Sequence, residues 1–134
     1  MSKKKSNKHY DHNIIKALEE LPSVLEDKKH NLVIYIRNDQ ARTNETRFEH
    51  IAKNGHELKV KDIQAIPEGI SNYEKFRKSE TLKETYYYFI KRRNNLKGYV
   101  QLAVILYKGD KKKAYIKTIF ITYSSKWMYP RKKR

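Results

Sequence analysis

Two histidines, His50 and His56, lie six positions apart in a basic stretch of the chain and are the first candidates for catalysis. Imidazole titrates near neutral pH, so one ring can accept a proton while another donates one, without a metal ion. Cleavage of RNA needs this pair of transfers, from the 2′-hydroxyl and to the leaving 5′-oxygen. Two ordinary surface histidines would show the same spacing, and that interpretation stays open.

Hydroxyl and basic side chains follow the last apolar stretch, in the run Thr122-Tyr123-Ser124-Ser125-Lys126. Thr122 and Ser124 lie on one side of an extended chain and Tyr123 on the other, so the two hydroxyls can meet one phosphate. We therefore predict four catalytic candidates, which are His50, His56, Thr122 and Ser124.

Tyr86-Tyr87-Tyr88 is followed closely by the basic residues Lys91-Arg92-Arg93. Rings interleaved with cations are typical of surfaces that stack single-stranded bases, although tyrosine is also a common partner across strands. Cations elsewhere are needed to neutralise a pentacoordinate phosphorane. The predicted nucleic-acid contacts are Arg47, Lys53, Tyr88, Arg92, Arg93, Lys117, Tyr123 and Lys126.

The charge of the chain also indicates a polyanionic partner. Lys and Arg number 31 against 15 Asp and Glu, which gives a formal net charge of +16 over 134 residues. Residues 85–134 carry fourteen of these cations and a single acid, Asp110. We expect this second half to present a positive face to the phosphates of RNA, with DNA as the alternative.

Several classes of protein are excluded by composition. The chain has no cysteine, which excludes disulfides, zinc ribbons and thiol nucleophiles. Glu57-Leu58-Lys59 with Asp39 imitates a metal-dependent nuclease site, but Glu26-Asp27-Lys28 matches the same short pattern, so no metal and no cofactor is predicted. The apolar runs are too short to span a membrane. We expect a cytoplasmic protein with no membrane partner.

Three helical segments are predicted in the first half of the chain, where apolar residues recur at helical spacing. Pro22 is a kink or a break in the first, Pro67 ends the last, and Thr43 or Asn44 caps the second. The segments are 13–29, 45–53 and 59–66.

Strands are predicted wherever β-branched and aromatic residues cluster. Leu32–Ile36 is apolar throughout, which indicates a strand buried on both faces. Residues 68–84 are charged and predict an irregular loop, and Lys108-Gly109-Asp110 predicts a hairpin turn. The strands of the last third are 85–91, 99–107 and 114–123.

This order of elements predicts an α+β fold with N-terminal helices packed on a four-stranded antiparallel sheet. The expected organisation is a basic, disordered arm over 1–12, one domain over 13–126 and a basic tail over 127–134.

The histidine segment 48–56, the following 62–67 segment and the closing Ile121-Thr122-Tyr123-Ser124 resemble, in order and spacing, the phage-associated members of the barnase, EndoU, colicin and RelE (BECR) nuclease fold. The resemblance spans about residues 31 to 126. It implies a helical layer on a four-stranded antiparallel sheet and a metal-independent endoribonuclease of phage or mobile-element origin. Tyr123 stands where that family often has alanine.

By position, His50 and His56 fall on the family's histidine motif and Thr122 on its terminal-strand hydroxyl; which histidine is the base stays open. A ribonuclease also implies a neutralising protein inhibitor. Two alternatives remain, a DNA- or RNA-binding accessory protein that uses the same basic sheet without cutting, and a degenerate nuclease fold kept for interactions. The sequence does not fix the oligomeric state.

Overall fold

The computed structural model of the chain describes residues 10–54 and 57–123. Its elements, in chain order, are α1 (His12–Glu19), β1 (Val24–Asp27), β2 (Leu32–Tyr35), β3 (Gln40–Arg42), β4 (Glu45–Thr46), α2 (Arg47–Asn54), α3 (Val60–Gln64), α4 (Ile66–Ile70), β5 (Lys75–Lys78), β6 (Thr85–Lys91), β7 (Tyr99–Tyr107) and β8 (Asp110–Thr122).

Side-chain caps determine where the two longer helices begin. The Asp11 carboxylate accepts a hydrogen bond from the backbone N–H of Asn13 at 3.0 Å and starts α1, so residues 10–12, assigned to a disordered arm, belong to the fold. At α2, the Thr46 hydroxyl accepts from Glu49 N–H while the Glu49 carboxylate accepts from Thr46 N–H. Thr46, rather than Thr43 or Asn44, is therefore the cap.

Two of the three predicted helices differ from the structure. The first ends at Glu19, before Pro22, and the second half of the predicted segment is the strand β1, in which Leu25 and Asp27 alternate inward. Pro67 lies in the first turn of α4 and starts that helix rather than ending the previous one.

The prediction of a four-stranded antiparallel sheet is wrong, although the predicted α+β class is confirmed. The sheet has six strands in the order β1-β2-β8-β7-β6-β5, and β3 and β4 form a separate ribbon. β5 to β8 make an antiparallel meander, but β2 pairs with β8 in parallel, through Val33 with Lys113 and Tyr35 with Tyr115. Sequence patterning missed β3 and β4 and, within the six-stranded sheet, β1 and β5, which are four residues long and charged.

The two faces of this sheet have different environments. Residues of one face, among them Ile34, Leu102 and Ile119, form a single core with the apolar sides of the helices. A register shift makes Lys117 an extra residue of β8, so that Ile116 and Ile119 both point into this core. No described helix covers the opposite face, which we call the outer face.

A buried ion pair holds the segment after β6 against α3. The Arg92 guanidinium donates to both carboxylate oxygens of Asp62, at 3.0 and 2.8 Å, and to the backbone oxygens of Lys97 and Glu57. Arg92 is 7% exposed and Asp62 3%. Buried charges of this kind are tolerated only when they are fully paired.

We predict that Arg92→Met destabilises the protein by about 3–5 kcal/mol, because Asp62 is left as a buried, uncompensated charge. The neighbouring Arg93→Met is the matched control, since Arg93 pairs with Glu68 in solvent and such pairs contribute about 0–1 kcal/mol. Urea unfolding followed by circular dichroism measures both. Equal losses of stability in the two variants would contradict this account of Arg92.

Candidate nucleic-acid interface

His50 lies on α2 and is held by a buried carboxylate. Its Nδ1 is 3.1 Å from Oε1 of Glu45, a residue only 2% exposed, and Lys53 Nζ lies 2.6 Å from the other oxygen of the same carboxylate. Two predicted site residues, His50 and Lys53, therefore meet at Glu45, which the sequence did not single out. The imidazole is oriented by a negative charge, as a proton-transferring histidine requires.

The electrostatic balance at Glu45 favours its ionised form. Burial raises the pKa of this carboxyl group, but hydrogen bonds from Lys53 and His50, together with their charges, outweigh it and hold the pKa below its ordinary value. The cluster is a compensated ion-pair network on the helical side of the sheet.

Thr122 lies on the other side of the sheet from His50. Ile121 packs against the core, so alternation sends Thr122 to the outer face, where its hydroxyl donates to the Gln101 side-chain oxygen. Phe48 and Ile51 place α2 on the core face. The structure therefore does not bring Thr122 and His50 into one cleft; His56, Ser124 and Lys126 lie outside the described residues.

Three other predicted contacts have structural partners. Tyr88 is fully buried, and its hydroxyl donates to Asp27 at 2.7 Å, so its ring has no surface for stacking. Arg92 is buried and forms an ion pair with Asp62. Tyr123, 55% exposed, donates to Glu57 at 2.9 Å, and that carboxylate raises the pKa of the phenol.

The Asp27 carboxylate is the centre of a polar cluster that the sequence did not predict. Asp27 is 1% exposed and accepts from Tyr73 and Tyr88, while His30 Nδ1 lies 3.1 Å away. Burial, with the Asp27 charge, raises the pKa of both tyrosines. A cavity of about 390 Å³ lies beside this cluster. The cluster joins β1 to β6 and satisfies the buried carboxylate.

Aromatic and cationic side chains share one end of the outer face. The tyrosine–arginine cluster consists of Tyr35, Arg37, Tyr107 and Tyr115. The ring of Tyr107 lies 5.7 Å from that of Tyr35 and 5.2 Å from that of Tyr115. The Arg37 guanidinium lies over two of the rings, 4.6 Å from the Tyr115 centroid and 5.4 Å from that of Tyr107. The three rings are half-buried and Arg37 is exposed.

Arg47, another predicted nucleic-acid contact, begins α2 and positions the tyrosine–arginine cluster through Asp39. Its guanidinium donates to both oxygens of Asp39, at 3.0 and 3.3 Å, and to the backbone oxygen of Lys117 at 3.1 Å. Asp39 in turn lies 3.6 Å from Arg37. Burial raises the pKa of Asp39, but the hydrogen bonds and charge of Arg47, with the charge of Arg37, lower it overall. An ionised Asp39 thus links α2 to the exposed guanidinium.

The turn between β7 and β8 adds four cations next to the tyrosine–arginine cluster. Gly109, at φ +81°, supplies the left-handed conformation of this predicted hairpin turn. All four lysines are exposed, and the Asp110 carboxylate is 3.9 Å from Lys113 Nζ. We call Lys108, Lys111, Lys112 and Lys113 the lysine hairpin.

The middle of the outer face is less accessible. Phe89, Gln101 and Ala103 lie there and are buried, Phe89 completely. Tyr87, Tyr99 and Phe120 on the same face are half-buried, as the rings at the hairpin end are, and the Arg77 guanidinium lies 5.1 Å from the Tyr87 centroid. The rings at the hairpin end are distinguished by the adjoining lysine hairpin. A signal for them was present in the sequence, because Lys113, Tyr115 and Lys117 alternate with Ala114 and Ile116 as residues on one face of a strand do.

Comparisons with known proteins find no family model, no curated protein and no solved structure that matches this chain. Over the described residues, no helix is both long and apolar enough to cross a membrane. Within 10–54 and 57–123, no group of three histidine or acidic side chains is placed to hold a metal ion.

The Glu45 network predicts a specific acid response. Glu45→Gln should destabilise the protein by about 1–3 kcal/mol at pH 7, because hydrogen bonds to an ionised partner are lost. Since the native pKa is lowered, the stability that this carboxylate contributes is complete above its ordinary pKa of 4.5 and is lost as the pH falls through the lower native value.

Urea unfolding between pH 7 and pH 3 tests this, with Glu19→Gln, at an exposed position of α1, as the charge-matched control. The gap between wild type and Glu45→Gln should close in acid, while the control stays near wild type. A gap that stays constant to pH 3 would mean that Glu45 is not held ionised by its partners.

Proposed function

We propose that this protein binds nucleic acid, RNA or alternatively DNA, through the hairpin end of its outer face. The observation that carries the proposal is the junction of the tyrosine–arginine cluster with the lysine hairpin, where exposed cations border half-buried rings on a surface free of described helices. Lysines contact phosphates, and aromatic rings and guanidinium planes contact bases.

Charge distribution gives independent support. Residues 85–134, which include the hairpin, have an excess of thirteen cations, fourteen against one acid. Two buried acids near the helices are already neutralised, Asp62 by Arg92 and Glu45 by Lys53. The exposed lysine hairpin lies beside the rings, and its positive charge would attract a polyanion from a distance.

A cytoplasmic location, a neutralising inhibitor, a phage or mobile-element origin and membership of the BECR fold stay predictions of the sequence. The six-stranded mixed sheet differs from the four-stranded sheet that this resemblance implies. Binding does not depend on that membership, because the interface is defined by its own side chains.

Binding should be strongly salt-dependent and should involve the lysine hairpin. We expect Lys111→Gln, Lys112→Gln, Lys113→Gln, combined in one variant, to reduce the slope of log affinity against log salt by about two, because each lost phosphate contact on a single strand contributes roughly 0.7. Fluorescence anisotropy with a labelled oligonucleotide at several salt concentrations measures the slope.

The matched control is the triple variant Lys16→Gln, Lys59→Gln, Lys61→Gln, which removes the same charge from exposed positions on and beside α1 and α3. It should leave the slope nearly unchanged. If the two triple variants reduced the salt slope equally, binding would depend on the overall charge of the protein rather than on the lysine hairpin.

The ribonuclease hypothesis is a second candidate function, and the orientation of His50 by Glu45 is the observation that favours it. In this hypothesis His50 or His56 takes the proton of the 2′-hydroxyl, which attacks the adjacent phosphate. The 5′-oxygen leaves with a proton from an acid, and the product is a 2′,3′-cyclic phosphate. The position of Thr122 on the opposite face removes its hydroxyl from this scheme.

Labelled RNA incubated with the protein in excess chelator tests cleavage directly. The enzyme hypothesis expects wild-type protein to form product and the His50→Ala, His56→Ala double variant to form none. Equal cleavage by both would remove the histidines from the mechanism, and no product from either would leave binding as the whole activity.

A further inference from the structure

Resting on the proposed function, we infer that the hairpin end of the outer face takes single-stranded nucleic acid and that Arg37 is the plane on which a base stacks. Arg37 combines three properties: an exposed guanidinium, a tyrosine ring beneath it, and a fixed position. In the sequence around Arg37, only the aromatic residue Tyr35 indicates this role.

The layering is defined by distances. Below the guanidinium lies the Tyr115 ring, with a separation of 4.6 Å, and the Arg37 Nη1 atom donates to the Tyr107 hydroxyl at 3.0 Å. Cation–π contact and this hydrogen bond hold one face of the guanidinium against the protein. The side chain of Arg37 is 45% exposed, so its other face is available to solvent. A base added there would complete a stack of base, guanidinium and ring.

Preorganisation distinguishes Arg37 from a flexible surface arginine. Asp39 lies 3.6 Å from its guanidinium and is itself held by Arg47 from α2. An arginine that is already ordered loses little conformational freedom when a base stacks on it. The arrangement is therefore suited to stacking rather than to simple charge attraction.

Only an unpaired strand can use such a plane. The faces of bases in a duplex are covered by their neighbours, and a duplex offers the protein phosphates and groove edges instead. A single strand exposes base faces, and stacking on them tolerates any sequence because every base has a π-face. The lysine hairpin would hold the phosphates on either side of the stacked base.

The test compares three probes of equal length by fluorescence anisotropy: a single-stranded 12-mer, the duplex of the same sequence, and a 12-mer with abasic positions throughout. We expect the wild-type protein to bind the single strand about tenfold more tightly than the abasic strand, as the stacking of one base predicts. The duplex should bind no more tightly than the abasic strand.

Arg37→Lys is the critical variant, because it keeps the positive charge and removes the plane. We expect it to bind the single strand about tenfold more weakly, with no change on the abasic strand and no change in salt slope. Arg42→Lys, at an exposed arginine of the separate β3–β4 ribbon, is the matched control and should bind all three probes as the wild type does. Thermal unfolding checks that both variants are folded.

Each outcome separates the two proposals. If the wild type binds all three probes equally and Arg37→Lys behaves as the wild type, single-strand stacking is overturned, while a salt slope that depends on the lysine hairpin still supports nucleic-acid binding. If no probe binds at low salt, both the inference and the proposed function are overturned.

Discussion

Alternation of side chains along β6, β7 and β8 imposes the constraint on which the whole molecule depends. Every second residue must be apolar to pack against the helices, and along β8 the residues between them are free to carry rings and charges. A slip of one residue would exchange the two sets, sending lysines inward and isoleucines outward. The bulge at Lys117 shows how closely this is controlled, because one added residue keeps both Ile116 and Ile119 in the core.

The same constraint separates the two groups of ionisable residues. On the helical side, Glu45 and Asp62 are buried and paired, so these charges stabilise the fold and contribute little field. On the outer side, the lysine hairpin is exposed and opposed mainly by Asp110. Arg47 joins the two sides, since it begins α2 and, through Asp39, fixes a guanidinium at the surface. A scaffold residue thereby positions the guanidinium that we propose as the plane on which a base stacks.

Much of the fold could be predicted from the sequence, because long apolar stretches such as 85–91 and 99–107 have a strong strand signature. β1 and β5 could not, because short charged strands gain their stability from neighbours rather than from their own residues. The parallel pairing of β2 with β8 is equally non-local. In the candidate site, charge and ring content were predictable, but Tyr88 and Arg92 were misassigned because their buried partners, Asp27 and Asp62, are far away in sequence.

The most direct test of the central claim is a map of amide chemical shifts in the protein as a single-stranded oligonucleotide is added at low salt. A nucleic-acid interface at the hairpin end predicts that the largest shifts fall on residues 35–37 and 107–115, with little change across α1 and α3. Shifts confined to the helical layer, or no shifts at saturating oligonucleotide, would contradict it.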